Sequence, residues 1–186
     1  MKKTMLLVIV LALNMPINAQ DLCGTQSISP PEWFFDEDSI QMGTQSIEAS
    51  SYTLGIFIHI ARNSSGVTQG INENDVLVAI SSQLNMAFNN SSIQFQLTGY
   101  DYIDNDEYYT DVSSDAKFNA LVNTNRQSNA INIYVLGTST TTYGVAGAAA
   151  SIPSTALWIH GNYHSTSVLS HEMGHCLGLP YTSWNC

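Results

Sequence analysis

A mixed α/β domain with a mostly parallel sheet is the fold class that this sequence predicts, and three observations carry it. Strand-like runs alternate with helix-like runs along the chain, the order that parallel sheets produce. Two of the strand-like runs, YTLGIFIHIA and INIYVL, are almost continuously apolar, as strands covered on both faces are. The 186 residues, 44% of them hydrophobic, suit one core of ordinary size and leave little room for a second.

The leading segment is of another kind. Lys2 and Lys3 precede an apolar run from Met5 to Leu13, and Ala19 is a small residue ahead of Gln20. A basic start, a run too short to span a bilayer and a small residue at its end read as a secretory signal peptide over residues 1–19. It addresses the chain outside the cytoplasm, and the Lys-Lys leader with a Gln start is of the bacterial type. Residues 20–51 are turn-rich, with Pro30-Pro31 and an acidic-aromatic patch from Glu32 to Asp38, and read as an N-terminal arm or pro-segment.

Residues 52–186 form the domain proper. Tyr52 to Ala61 is the first central strand. Asn72 to Asn89 follows as an amphipathic helix, with Asn72 or Asn74 as its N-cap and Leu77, Ile80, Leu84 and Phe88 on one face. Ile93 to Leu97 alternates apolar and polar residues as a strand does, and an acidic turn from Asp101 to Asp111 interrupts it. Ser114 to Val122 carries Phe118, Leu121 and Val122 on one helical face, and Ile131 to Leu136 is a further strand. Gly144 to Ala150 is a stretch of small residues, Ala156 to His160 is a short strand, and the chain turns helical from Ser165.

Fifteen acidic residues stand against five basic ones, a formal charge of -10, which excludes roles that depend on neutralising phosphates, nucleic-acid binding first among them. Loss of residues 1–19 would leave only Arg62, Lys117 and Arg126 as basic residues. Charged residues make up just 11% of the chain and aromatics 10%, so it is not a disordered acidic tail. No later run is long enough to span a membrane, so no membrane partner is expected once the signal is removed. The three cysteines, Cys23, Cys176 and Cys186, are an odd number, supply no disulfide framework and leave the fold resting on its core.

The chemistry lies in HEMGHCLGLPY, His171 to Tyr181. On a helix His171 and His175 project from one face, where two imidazoles can hold one zinc ion. Glu172, one step round, reaches a water on such an ion as a base, which is the arrangement for metal-assisted peptide hydrolysis. Gly178 stands three residues after His175, where a helix that must stop and turn needs a residue able to take positive φ.

The segments HEMGHCLGL, INIYVLG, GVAGAA with the proline of SIPST, and IHI followed by QLNMAF together resemble the metzincin zinc peptidases. Within them they resemble the pappalysin family, the pregnancy-associated plasma protein A type (peptidase family M43). The resemblance runs from about Tyr52 to Leu179. It implies the amino-terminal subdomain of a metzincin catalytic domain: a twisted five-stranded sheet, mostly parallel, with an antiparallel edge strand and packed helices, including the C-terminal active-site helix. It implies His171 and His175 as ligands of one catalytic Zn2+, Glu172 as general base, a protein or peptide as substrate, and Gly144, Val145, Ala146 and Gly147 as the substrate-binding edge. Tyr181 stands where the family has a third histidine ligand, and a phenol with a pKa of about 10 is a poor zinc ligand. The sequence stops at Cys186, ahead of the family's methionine turn and lower subdomain, so the peptidase domain is expected to be incomplete. Two readings follow: a fragment of a working secreted metalloendopeptidase, or a catalytically inactive truncated relative acting as a secreted binding module.

Weaker signals each have a plainer reading beside the functional one. Asp101, Asp104, Asp106, Glu107 and Asp111 offer hard oxygen ligands for Ca2+, but without EF-hand spacing they read by default as a solvated acidic turn. His160 and His164 are separated by Gly161-Asn162, which breaks a helical face, and read as water-exposed loop histidines. His59 reads as a hydrogen-bonded core histidine. Cys23-Gly24-Thr25 resembles family pro-segments in which a cysteine thiolate caps the zinc, the alternative being a cysteine paired elsewhere. Trp33, Phe34 and Phe35 are expected to anchor the arm to the domain.

Overall fold

A computed structural model describes residues 23–26 and 51–180. The arm's aromatic patch, the leader, Tyr181 and Cys186 lie outside the described residues. The elements are β1 (Tyr52–Arg62), α1 (Glu73–Ala87), β2 (Ile93–Asp104), α2 (Asp106–Thr110), α3 (Asp115–Leu121), β3 (Ile131–Leu136), β4 (Gly147–Ala149), β5 (Ala156–His160) and α4 (Ser167–Cys176). They build one five-stranded sheet in the order β2-β1-β3-β5-β4, parallel throughout except for β4, which runs antiparallel to β5 at one edge.

Alternation along the central strands sends side chains to two cores. Ile56, Ile58 and Ile60 of β1, Ile133 and Val135 of β3, and Leu157 and Ile159 of β5 pack under α1 and α4, against Val76, Ile80 and Leu84 of the first helix and Val168, Leu169 and Met173 of the second. On the other face Ala61, Tyr134, Leu136, Ala148 and Trp158 pack under α2 and α3 with Tyr108, Leu121 and Val122. Burial on both faces is why β1 and β3 read as unbroken apolar runs.

The structure adjusts several expectations. The fully buried face of α1 is Val76, Ile80 and Leu84, with Leu77 and Phe88 partly buried and packed beside it, and Asn72 caps the helix by accepting from Asp75 N. The second strand does not end at Leu97: it continues through the acidic residues to Asp104, with Gly99 to Asp104 in register with Phe57 to Arg62 of β1 beyond a bulge at Ile56/Phe57. The expected acidic turn is therefore the end of β2 followed by the short helix α2, capped by Asn105. No helix among the described residues is long and apolar enough to cross a membrane.

One polar network ties the centre of the sheet together. His59 on β1 bonds Asp101 on β2 through Nδ1 (2.6 Å) and Asn132 on β3 through Nε2 (3.0 Å), and its ring stacks on Tyr134. The buried Asn132 amide also accepts from Gln127 N and donates to the carbonyls of Gln127, Ala130 and Thr155. An asparagine inside a buried strand is therefore fully used, as buried polar groups must be. Asn132→Ala should lower stability by about 2–4 kcal/mol in urea unfolding, because it strands several buried donors and acceptors at once.

Candidate metal centre

Helix α4 carries the histidines, and its ends fix where they point. Thr166 caps the N-terminus by accepting from Val168 N. At the other end Leu179 N donates to Gly174 O, and Gly178 N donates to His175 O with Gly178 at φ 93°, the paired bonds of a glycine-terminated helix. That turn brings the Leu179 carbonyl back beneath His175, whose Nδ1–H donates to it at 2.7 Å. With Nδ1–H donating to a carbonyl, Nε2 of His175 carries the lone pair.

That lone pair faces His171. The two Nε2 atoms lie 3.1 Å apart, with the rings nearly perpendicular. Two nitrogens each about 2.0–2.1 Å from one zinc in a tetrahedral site sit about 3.3 Å apart, so the spacing fits a shared ion. A third donor comes from the arm: the Cys23 sulfur and the two histidine nitrogens all lie within 4.8 Å of one another. Cys and His are the donor set that zinc takes, so the residues fit the metal. Burial, with His175 beside it, pushes the pKa of His171 down to about 4, so this imidazole stays neutral and able to ligate well below neutral pH.

Glu172 sits behind the histidines, fully buried, on the face of α4 that meets β4. Its Oε2 accepts from the Thr25 hydroxyl at 2.7 Å and from Ala149 N at 3.1 Å. Burial raises its pKa above the ordinary carboxylate value, while the Thr25 hydroxyl and the neighbouring Cys23 thiol oppose that rise. The strand comes this close because residue 147 is glycine: a Cβ there would lie 3.1 Å from Glu172 Cγ and 3.0 Å from the backbone of Trp158.

The arm lies along the outer edge of β4. Cys23 bridges to Gly147 in the parallel sense, Gly24 N donates to Gly147 O at 2.7 Å, and Thr25 Oγ1 accepts from Ala149 N at 2.7 Å. Gly24 is needed for that approach, since a Cβ would sit 2.7 Å from Val145 Cγ2.

The structure thus brings together His171, Glu172, His175 and Cys23. The edge strand expected at Gly144 to Gly147 instead begins at Gly147; Gly144, at φ 83°, Val145 and Ala146 form its approach, with Ala146 O accepting from His160 N. His160 and His164 are partly buried rather than water-exposed, His164 being tied to Gly161 O, and neither joins the ligand group. The acidic residues considered for calcium are engaged separately: Asp101 with His59, Asp104 with Arg62, Asp106 with Ser64 N, and Glu107 and Asp111 with Lys117. Among the described residues they form no ligand cluster. Cys176 is a core thiol, bonded to Ala156 O and pushed up to about 12 by burial. Sequence reasoning missed Thr25 and Ala149 as partners of Glu172, because nothing local marks a contact across 147 residues.

No known protein family matches the chain, and no curated protein matches its sequence. Among solved structures it is similar to the crystal structure of metalloproteinase-II from Bacteroides fragilis, at 19% identity and a TM-score of 0.43, over 70% of this chain and 43% of that one. The chain therefore spans less than half the length of that protein.

Calorimetric titration of the metal-free chain should show one zinc equivalent, with His171→Ala or His175→Ala losing most of the affinity. Gly178→Ala forces a side chain into positive φ, and should cost about 1–2 kcal/mol in thermal unfolding while weakening zinc binding through the lost Leu179 carbonyl contact.

Proposed function

We propose that the chain is a zinc-dependent metalloendopeptidase of the pappalysin type, addressed outside the cytoplasm and held latent by its own N-terminal arm. The observation that carries this reading is the convergence of His171, His175 and Cys23 on one point beside the buried carboxyl of Glu172. Hydrolysis needs a carboxyl group beside the metal position, and Glu172 stands there. His171 and His175 would hold the metal through Nε2, and Cys23 would cap it as thiolate while the arm is docked. Tyr181 is the sequence's candidate for the place that Cys23 leaves. Zinc at such a site supplies Lewis acidity, polarising a peptide carbonyl and acidifying a water molecule.

The protein's own groups do the rest. Glu172 takes the proton from the attacking water and returns it to the departing amine, and a carboxyl raised above its ordinary pKa is better matched to both transfers. Ala149 N–H orients that carboxyl from the edge strand. The outer edge of β4 offers backbone groups on which an extended peptide can be added as a strand, and the arm covers that edge in the latent form. The partner is accordingly a protein or peptide substrate, with neither nucleic acid nor membrane involved.

After the arm is removed from the zinc-loaded chain by limited proteolysis, a generic substrate such as casein should be hydrolysed. Glu172→Gln should lower the rate by about 10²–10⁴-fold without loss of bound zinc. Hydrolysis that persists unchanged in that variant would sink the assignment.

A further inference from the structure

We infer that Thr25 is a second lock on the site, acting on the base Glu172 and independent of the thiol; this rests on the peptidase reading for its consequence but not for its physical test. The arm makes two chemically distinct contacts within three residues. Cys23 lies with the histidine nitrogens and its thiol also bears on Glu172, whereas the Thr25 hydroxyl donates to Glu172 Oε2 at 2.7 Å and accepts from Ala149 N at 2.7 Å. Thr25 is itself buried, 7% exposed, so this hydroxyl is enclosed between helix α4 and strand β4.

The geometry makes the contact more than incidental. A hydroxyl has one proton to give and lone pairs to receive, and here both capacities are used. Glu172 must receive the proton of the attacking water during hydrolysis, and Oε2 is the oxygen that Thr25 engages. While Thr25 occupies Oε2, a water cannot be accepted there, whatever ligand sits on the metal. Loss of the thiol contact alone, by oxidation or substitution of Cys23, leaves the hydroxyl bond and the Gly24 N to Gly147 O bond in place. The lock opens when residues 23–25 leave as one unit.

The test compares full-length chains carrying Thr25→Val, Thr25→Ser and Cys23→Ala. In the metal-free protein, amide hydrogen exchange reports arm docking without reference to activity. Thr25→Val should speed exchange at Gly24 and Ala149 by about tenfold or more, the effect of losing one hydrogen bond to a charged or buried group, and Thr25→Ser should restore protection. Unchanged exchange in Thr25→Val, or equal exchange in the valine and serine variants, would overturn the proposal. In the zinc-loaded protein, Cys23→Ala with Thr25→Val should cleave casein about tenfold faster than Cys23→Ala alone. Equal rates in the two would show the thiol to be the sole lock and also overturn it. If nothing is cleaved even after the arm is removed from the zinc-loaded chain, the peptidase reading fails, and the exchange result alone decides whether Thr25 holds the arm on Glu172.

Discussion

The close crossing of strand β4 over helix α4 is the constraint on which the site depends. A side chain at residue 147 would press on Glu172 Cγ and on the Trp158 carbonyl, so glycine there sets how near the two elements come. That nearness lets Ala149 N reach the Glu172 carboxylate and places the carboxylate out of water. It also aligns the outer edge of β4 with the histidine pair, so that anything paired with this edge passes the metal position. Backbone adjacency, the orientation of the Glu172 carboxyl and the arm's position beside the histidines are consequences of one contact.

The buried and half-buried histidines show how surroundings divide structural from functional roles. Both ring nitrogens of His59 face oxygens, of Asp101 and Asn132, so the ring is consumed in joining three strands and has nothing left for a ligand. His175 Nδ1 is held by a carbonyl that the helix stop delivers, and its Nε2 lies 3.1 Å from its counterpart on His171. The residue type is the same, and what the second nitrogen faces, an amide oxygen or another histidine, separates the two. Gly178 thus contributes to the site without approaching it, by bending the chain so that Leu179 can hold His175.

Much of this was legible in the sequence, and the reasons are specific. The doubly covered strands β1 and β3 announced themselves through unbroken apolar runs, and helix α4 through the spacing of His171 and His175 with Gly178 at its stop. The face of α1 was read correctly at Ile80 and Leu84, with Leu77 and Phe88 at its margin; Val76 was missed because Val76 and Leu77 are both apolar neighbours. The length of β2 was missed because Asp101 and Asp104 look like a turn in isolation; each is satisfied by a cation or ring on the neighbouring strand, His59 and Arg62, 42 positions earlier. The Thr25 to Glu172 bond has no sequence signature, since neither periodicity nor composition encodes which hydroxyl meets a distant carboxylate.

The arm's contacts gain strength from being part of the same chain. A thiol, a hydroxyl and one backbone pair would hold a free tripeptide weakly, because association would cost its translational and rotational freedom. Tethered to the domain, the same three residues are presented at an effective concentration set by the intervening chain. Each contact then need only outweigh local ordering, and loss of one leaves the others docked. Cutting the tether acts differently, since it removes the effective concentration for all three contacts at once while leaving every atom of the site untouched. An arm held this way responds more steeply to chain cleavage than to a change at any single arm residue.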